Sequence, residues 1–288
     1  MRKHLAVCCF IIMILITTTS WAWDNTGHML VAQIAYEQLT PQAKKQANSL
    51  LDVLNADYPY CRGFARAATW ADVIKSHTTA FNEWHFIDIP LQTDTNTTTA
   101  QQRDAMKKLT SPHIVWAIAQ CVQVLQNSKA TQLEKALFLR FLLHFVGDIH
   151  QPLHCTTRYS NEQLQGDAGG NAVLINSDIA ENLHELWDRG AGFFGKESTH
   201  YPLKLPQIKI LAKKIMAEYP ETYFGKRAMD TDPYNWAFES FTIAKNFAYT
   251  IKPNTKPTVQ YITAAQKKVE EQIALAGYRL GKLLNPIL

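Results

Sequence analysis

Apolar residues recur at helical spacing along almost the whole chain, which leaves little room for anything but a packed helical domain. Leu30, Ile34 and Leu39, with Val31 and Ala35, line one face of a segment that starts near Thr26. Pro41 opens a second helix in its first turn, where a missing N–H costs nothing, and Leu50, Leu51 and Leu54 give it an apolar side. Residues 65–76, 112–126, 132–148, 208–217, 233–250 and 259–284 read the same way. Extended signals are confined to 85–89, ahead of Pro90, and 172–175, after Gly169-Gly170-Asn171. The Thr-rich run at 93–99 reads as a polar loop. No repeat or long linker divides the chain, so the expected fold is all-α, a single mainly helical domain with a small β-hairpin. At 47% hydrophobic and 19% charged, the chain has the apolar residues for that core and too little charge for a disordered polyelectrolyte.

The first 22 residues stand apart. Met1-Arg2-Lys3-His4 is basic, residues 5–16 are almost wholly apolar, and Ser20-Trp21-Ala22 puts small residues at the last and third-last positions. That is the pattern of a cleaved secretory signal peptide, so the expected mature domain is 23–288 and the expected location secreted or periplasmic. No other apolar run reaches the ~18 residues of a membrane span, so no membrane is expected in the mature form. Cleavage removes Arg2 and Lys3 from a formal net charge of only +4, and no dense basic patch is visible. A nucleic-acid binder that works by charge alone is therefore excluded. Cleavage also removes Cys8 and Cys9. Cys61, Cys121 and Cys155 remain, an odd number that allows one internal disulfide at most, in an unspecified pairing. Asn96-Thr97-Thr98 has the pattern of a glycosylation acceptor.

Chemistry concentrates in Phe141-Leu-Leu-His144-Phe-Val-Gly-Asp148-Ile-His150-Gln-Pro-Leu-His154. His144 and Asp148 project from one helix face, about 5–6 Å apart at Cβ. One metal ion can take a nitrogen and an oxygen at that separation. Pro152 ends the helix and lets His154 turn back toward the same place. Either residue alone would read as a satisfied core side chain, but an Asp on so apolar a face needs a cation, and none is near in sequence. His184 and Asp188 repeat the spacing in Asn182-Leu-His184-Glu-Leu-Trp187-Asp188. Asp72, in Trp70-Ala71-Asp72, and His85, in His85-Phe86-Ile87-Asp88, would each separately read as structural. Cleavage after Ala22 would free the α-amine of Trp23, which can chelate a metal together with its own carbonyl, with His28 five residues on.

Taken together, Trp23…Gly27-His28, Trp70-Ala71-Asp72, His85-Phe86-x-Asp88, the 144–154 motif, Gly166-Asp-x-Gly-Gly-Asn171 and Asn182-Leu-His184-x2-Trp187-Asp188 resemble the zinc-dependent S1/P1 nuclease family. The match runs in order through most of the mature chain. The resemblance implies the mainly helical phospholipase C/P1 nuclease fold with three zinc ions in a cleft. It implies that Asp72, His85, His144 and Asp148 hold one zinc, and His154, His184 and Asp188 a second. The third would take the Trp23 amine and carbonyl, His28 and a bridging Asp148. It further implies hydrolysis of single-stranded RNA and DNA to 5'-phosphate products, with 3'-nucleotidase activity. The chain departs from the family in a longer 159–165 segment and in its cysteines, which puts the family's disulfides in doubt.

Elementary chemistry agrees. Three zinc ions against three carboxylates leave about +3 in the site, so metals rather than basic side chains would attract phosphate. Asp72, Lys75 and Asp148 are the candidate catalytic residues. Lys75, one turn after Asp72, is a candidate for phosphate charge, and Asn171 a candidate substrate contact. Phe86 can stack a base and Asp88 can accept from base N–H groups, which favours unstacked single strands. Substrates would be single-stranded nucleic acid and nucleotides, and no stable protein partner is implied. A zinc phospholipase C shares the fold and the N-terminal Trp chelation, but it calls for an apolar lipid-facing rim. A non-catalytic zinc-binding protein and a plain helical structural protein are further alternatives.

Overall fold

The structure, a computed structural model, describes residues 23–93, 97–110, 112–161, 163–195 and 203–288. The expected signal peptide and Asn96 lie outside them.

Helical spacing in the sequence becomes a layered helical domain around one core. Helix α1 (Asn25–Gln38) is buried on almost every side, and the Asp24 carboxylate caps it by accepting from the Thr26 and Gly27 N–H groups. The long α12 (Val259–Leu284) lies against it. Two glycines allow that close approach: a Cβ at Gly277 would sit 2.5 Å from Ile34 Cβ, and one at Gly281 2.7 Å from Gln38 Cβ. Helix α7 (Gln132–Asp148) starts with a Thr131–Glu134 capping box and runs into the core between α1, α6 (Ile114–Gln126) and α2 (Pro41–Asp52). The buried Arg140 of α7 donates to Leu51 O at 2.9 Å and to Cys61 O at 3.2 Å. It thereby satisfies a carbonyl at the C-terminal end of α2 that no helix bond could reach.

Mainly helical is correct; the hairpin is not. Among the described residues the sheet has two strands, β1 (Pro90–Gln92) and β2 (Thr157–Tyr159), and they pair in parallel with Pro90 opposite Thr157. Parallel strands need a long crossover, and α5 (Thr99–Lys107), α6 and α7 supply it. The extended run at 85–89 does pair, with Ile87 N–H donating to His154 O at 2.8 Å and Ile89 O accepting from Thr157 N–H at 3.1 Å. His85 itself ends a 3-10 turn, Asn82–His85. The 172–175 run yields only a single bridge, Leu174 to Asn182. This small sheet pins the His85 segment to the chain that leaves α7.

The one possible disulfide is not formed. Cys61, Cys121 and Cys155 are all free and buried. The Cys155 thiol donates to Ile149 O at 3.3 Å, and Cys61 Sγ lies 3.7 Å from the Thr69 hydroxyl, so these two are engaged in separate parts of the core. No helix among the described residues is long and apolar enough to cross a membrane.

Candidate metal centre

The last turn of α7 is the spine of the site. His144 and Asp148 are fully buried there. Asp72 comes from α4 (Trp70–Lys75), and His85 from the end of its 3-10 turn. Asp148 Oδ2 lies 2.9 Å from His85 Nδ1 and 3.2 Å from His144 Nε2, with Asp72 Oδ1 3.5 Å from that same His144 nitrogen. The other oxygen, Oδ1, faces a different ring, His28 Nε2 of α1, at 3.3 Å. A further group forms where the chain leaves α7 and meets α8 (Leu183–Asp188). There His184 Nε2 is 3.4 Å from Asp188 Oδ2 and 3.2 Å from His154 Nε2. The structure thus brings His28, His144 and Asp148 together, then Asp72, His85 and His144, then His154, His184 and Asp188. Within each group the ligand-type atoms lie within 4.8 Å of one another.

Backbone carbonyls aim the imidazoles. Nδ1 of His144 donates to Ala68 O at 2.7 Å, that of His154 to His85 O at 2.8 Å, and that of His184 to Gly169 O at 2.8 Å. A carbonyl can only accept, so the proton sits on Nδ1 and the Nε2 lone pair faces inward. Gly169 has φ +64, and a Cβ there would stand 2.5 Å from Leu153 O. The buried Asp167 braces that turn by accepting from Gly170 N–H at 3.1 Å, Arg158 N–H at 2.9 Å and the Tyr249 hydroxyl at 2.9 Å.

These donors fit a divalent cation. Among the described residues neither nitrogen of the buried His28 makes a hydrogen bond, and neither does Asp148 Oδ1, although both belong to the same cluster. Buried polar atoms are rarely left so, because each costs about 1–3 kcal/mol. Imidazole nitrogens with carboxylate oxygens are a donor set that suits zinc. Protonation favours it as well. Burial lowers His28 to about 3, helped by His144, and lowers His85 to about 4, helped by the Lys75 ammonium. Burial also lowers His184. In His144 and His154 burial acts the same way, but the adjacent carboxylates outweigh it and raise both. Asp72 and Asp148 are buried, which alone would raise them, yet Lys75 and the imidazoles around Asp72, and His144 beside Asp148, hold both below the ordinary carboxylate range. A cation arriving here meets ionised carboxylates and, at His28, His85 and His184, imidazoles whose protonation burial disfavours.

Trp23 is fully buried, its indole N–H donating to Gly147 O at 2.9 Å. The next residue, Asp24, donates its N–H to Asp188 O at 2.8 Å, so the Trp23 backbone lies between α7 and α8. Gly147 leaves room for the neighbouring His28 ring: a Cβ on it would stand 2.8 Å from His28 Nδ1. Gly147→Ala is expected to push the His28 ring aside and destabilise the fold by about 1–3 kcal/mol, which urea unfolding would measure. Unchanged stability would mean that His28 yields without cost.

Lys75 sits with its Nζ 3.0 Å from Asp72 Oδ1, its side chain 16% exposed. Phe86 is half-buried at the surface. Asp88 is exposed, with its carboxyl against the Thr157 hydroxyl and raised first by partial burial. Asn171 Nδ2 donates to Ala168 O at 2.8 Å, which closes the glycine turn under His184. His150, inside the motif, takes no part in the three groups. Its Nδ1 bonds Val146 O at 2.7 Å, and its Nε2 accepts from the buried Arg279 at 3.0 Å. Gln151, Asp167 and Gly147 carry little signal in the sequence. Their only signal there is position, within or beside the metal-type motifs.

A buried constellation of imidazoles and carboxylates around one helix end defines a metal-dependent type of site. The chain belongs to the S1/P1 Nuclease family, whose pattern it matches over residues 23–288. It is 27% identical to Nuclease P1 of Penicillium citrinum, over 92% of this chain and 97% of that one. It is 28% identical to Nuclease S1 of Aspergillus oryzae, over 93% and 92% of the two chains. Endonuclease 5 of Arabidopsis thaliana is similar at 27% identity, over 92% of this chain and 90% of that one. The protein is therefore an enzyme, a nuclease that acts on nucleic acid.

Proposed function

We propose that the mature chain, 23–288 after removal of a signal peptide, is a secreted or periplasmic endonuclease that holds three zinc ions. In this reading Asp72, His85, His144 and Asp148 hold one, and His154, His184 and Asp188 a second. His28, Asp148 and the Trp23 amine and carbonyl hold the third. The observation that carries it is Asp148, whose two oxygens face two different donor groups, at 2.9 Å to His85 and 3.3 Å to His28. Bound zinc would polarise a phosphodiester and lower the pKa of a nucleophilic water. The chain's own residues do the rest. Lys75, next to Asp72, offers a cation to the phosphate oxygens. Phe86 stacks an unpaired base while Asp88 accepts from its N–H groups, and Asn171 stiffens the turn beside His184 and contacts substrate. Single-stranded RNA and DNA are then preferred over duplex, with 5'-phosphate products and 3'-nucleotidase activity.

The test compares single-stranded, duplex and simple non-nucleotide phosphodiester substrates, with end-group analysis of the products. Duplex cut as fast as single strands, or 3'-phosphate products, would contradict the reading. In the same assay Phe86→Ala should raise KM on single strands more than it lowers kcat, because stacking is present before and during the chemical step. The expected loss is about tenfold to a hundredfold in kcat/KM. The non-nucleotide ester should be far less affected, whereas equal losses on both would point to damage at His85.

A further inference from the structure

One more polar side chain reaches the His154–His184–Asp188 group without being one of its ligand-type residues. Gln151 is wholly buried. Pro152 restricts it to an extended backbone, φ -84 and ψ 116, from which it caps the 3-10 turn Pro152–Cys155. Both ends of its amide are engaged. Its Oε1 accepts from Leu153 N–H at 2.6 Å, and its Nε2 donates to Asp188 Oδ1 at 2.6 Å. Because a backbone N–H can only donate, the Leu153 bond fixes which end of the amide is oxygen and therefore which end faces Asp188.

That bond bears on how Asp188 can meet a cation. Its two oxygens lie 3.4 Å from His184 Nε2 and 3.7 Å from His154 Nε2, so either could turn inward. An oxygen that already accepts a short hydrogen bond is a poorer donor to a cation, and it resists rotation of the carboxylate. The donor is also neutral. Asp72 has an ammonium 3.0 Å away, which offsets its charge, whereas the amide on Asp188 leaves the full negative charge in place. We propose that Gln151 is a positioning residue that holds Asp188 with Oδ1 occupied and Oδ2 presented as a single donor atom. This rests on the reading that the His154–His184–Asp188 group holds a metal.

The experiment titrates the mature full chain, stripped of metal, with Co²⁺ against a competing chelator and follows the visible absorption band. His184→Ala marks which ion belongs to this group. In Gln151→Met that ion should bind about 10–100-fold more weakly. Its band should also lose intensity, because a freed Asp188 can bind through both oxygens and raise the coordination number. The other ions should bind as in the parent protein. Gln151→Glu keeps the acceptor for Leu153 N–H and, when ionised, replaces the donor with a second carboxylate oxygen facing Asp188, so it guards against a folding defect and should also show an altered band. A parent-like band and affinity in both variants would overturn the role of Gln151 alone. If His184→Ala removes no ion, the metal reading of the group falls, and this inference with it.

Discussion

Asp148→Asn is expected to abolish hydrolysis and strip metal from two donor groups at once. The two oxygens of Asp148 serve different neighbours, Oδ2 facing His85 and His144 and Oδ1 facing His28. The amide keeps one oxygen, loses the charge and presents N–H groups to whatever stood opposite the other. Ligand charge is what allows several cations to crowd into one cleft, so its removal weakens every ion that shares it. We expect kcat/KM to fall at least about a thousandfold, some 4 kcal/mol of transition-state stabilisation. Chelator-resistant metal and resistance to urea should fall with it. Asp88→Asn is the control, since Asp88 is exposed and outside the three groups. It should keep its metal and lose about tenfold, mostly in KM or base preference. Parent-like metal content and rate in Asp148→Asn would refute the sharing.

A Met retained ahead of Trp23 should disable the enzyme almost as thoroughly. Trp23 is fully buried, and its neighbour Asp24 is bonded to Asp188 O at 2.8 Å, so Trp23 is held between α7 and α8. An added residue turns the free amine into an amide, a poor donor, and must itself find space in a packed site. The ion assigned to Trp23, His28 and Asp148 should then bind weakly or not at all, while the other two stay. Activity should drop about a hundredfold or more, because a charge that stabilises the transition state is gone. Trimming the Met with an aminopeptidase and adding zinc should restore both. Full metal content and undiminished activity in the extended protein would show that signal cleavage is not part of site assembly.

Much of this was legible in the sequence because it is local. His144 and Asp148, like His184 and Asp188, are four apart on a helix, so spacing alone puts each pair on one face. Pro152 marks where α7 must stop and His154 must turn. Asp72 and His85 were weak signals alone, since what joins them to α7 is tertiary packing across more than fifty residues. The parallel pairing is hidden for the same reason: periodicity gives the extended run at 85–89 but not its partner at 154–157, so it suggests a hairpin instead. Gln151 and Asp167 carry no pattern of their own. A buried amide or carboxylate that aims a neighbour shows itself only by distance, here 2.6 Å from Gln151 to Asp188 and 2.9 Å from Tyr249 to Asp167.

The most direct test of the account is elemental analysis of the mature chain beginning at Trp23, with nuclease rates on single-stranded substrate measured on the same samples. The account predicts three zinc ions per chain, loss of activity in step with their removal by a chelator, and recovery on adding zinc back. A fully active protein holding no metal, or one whose activity survives complete removal of zinc, would contradict it.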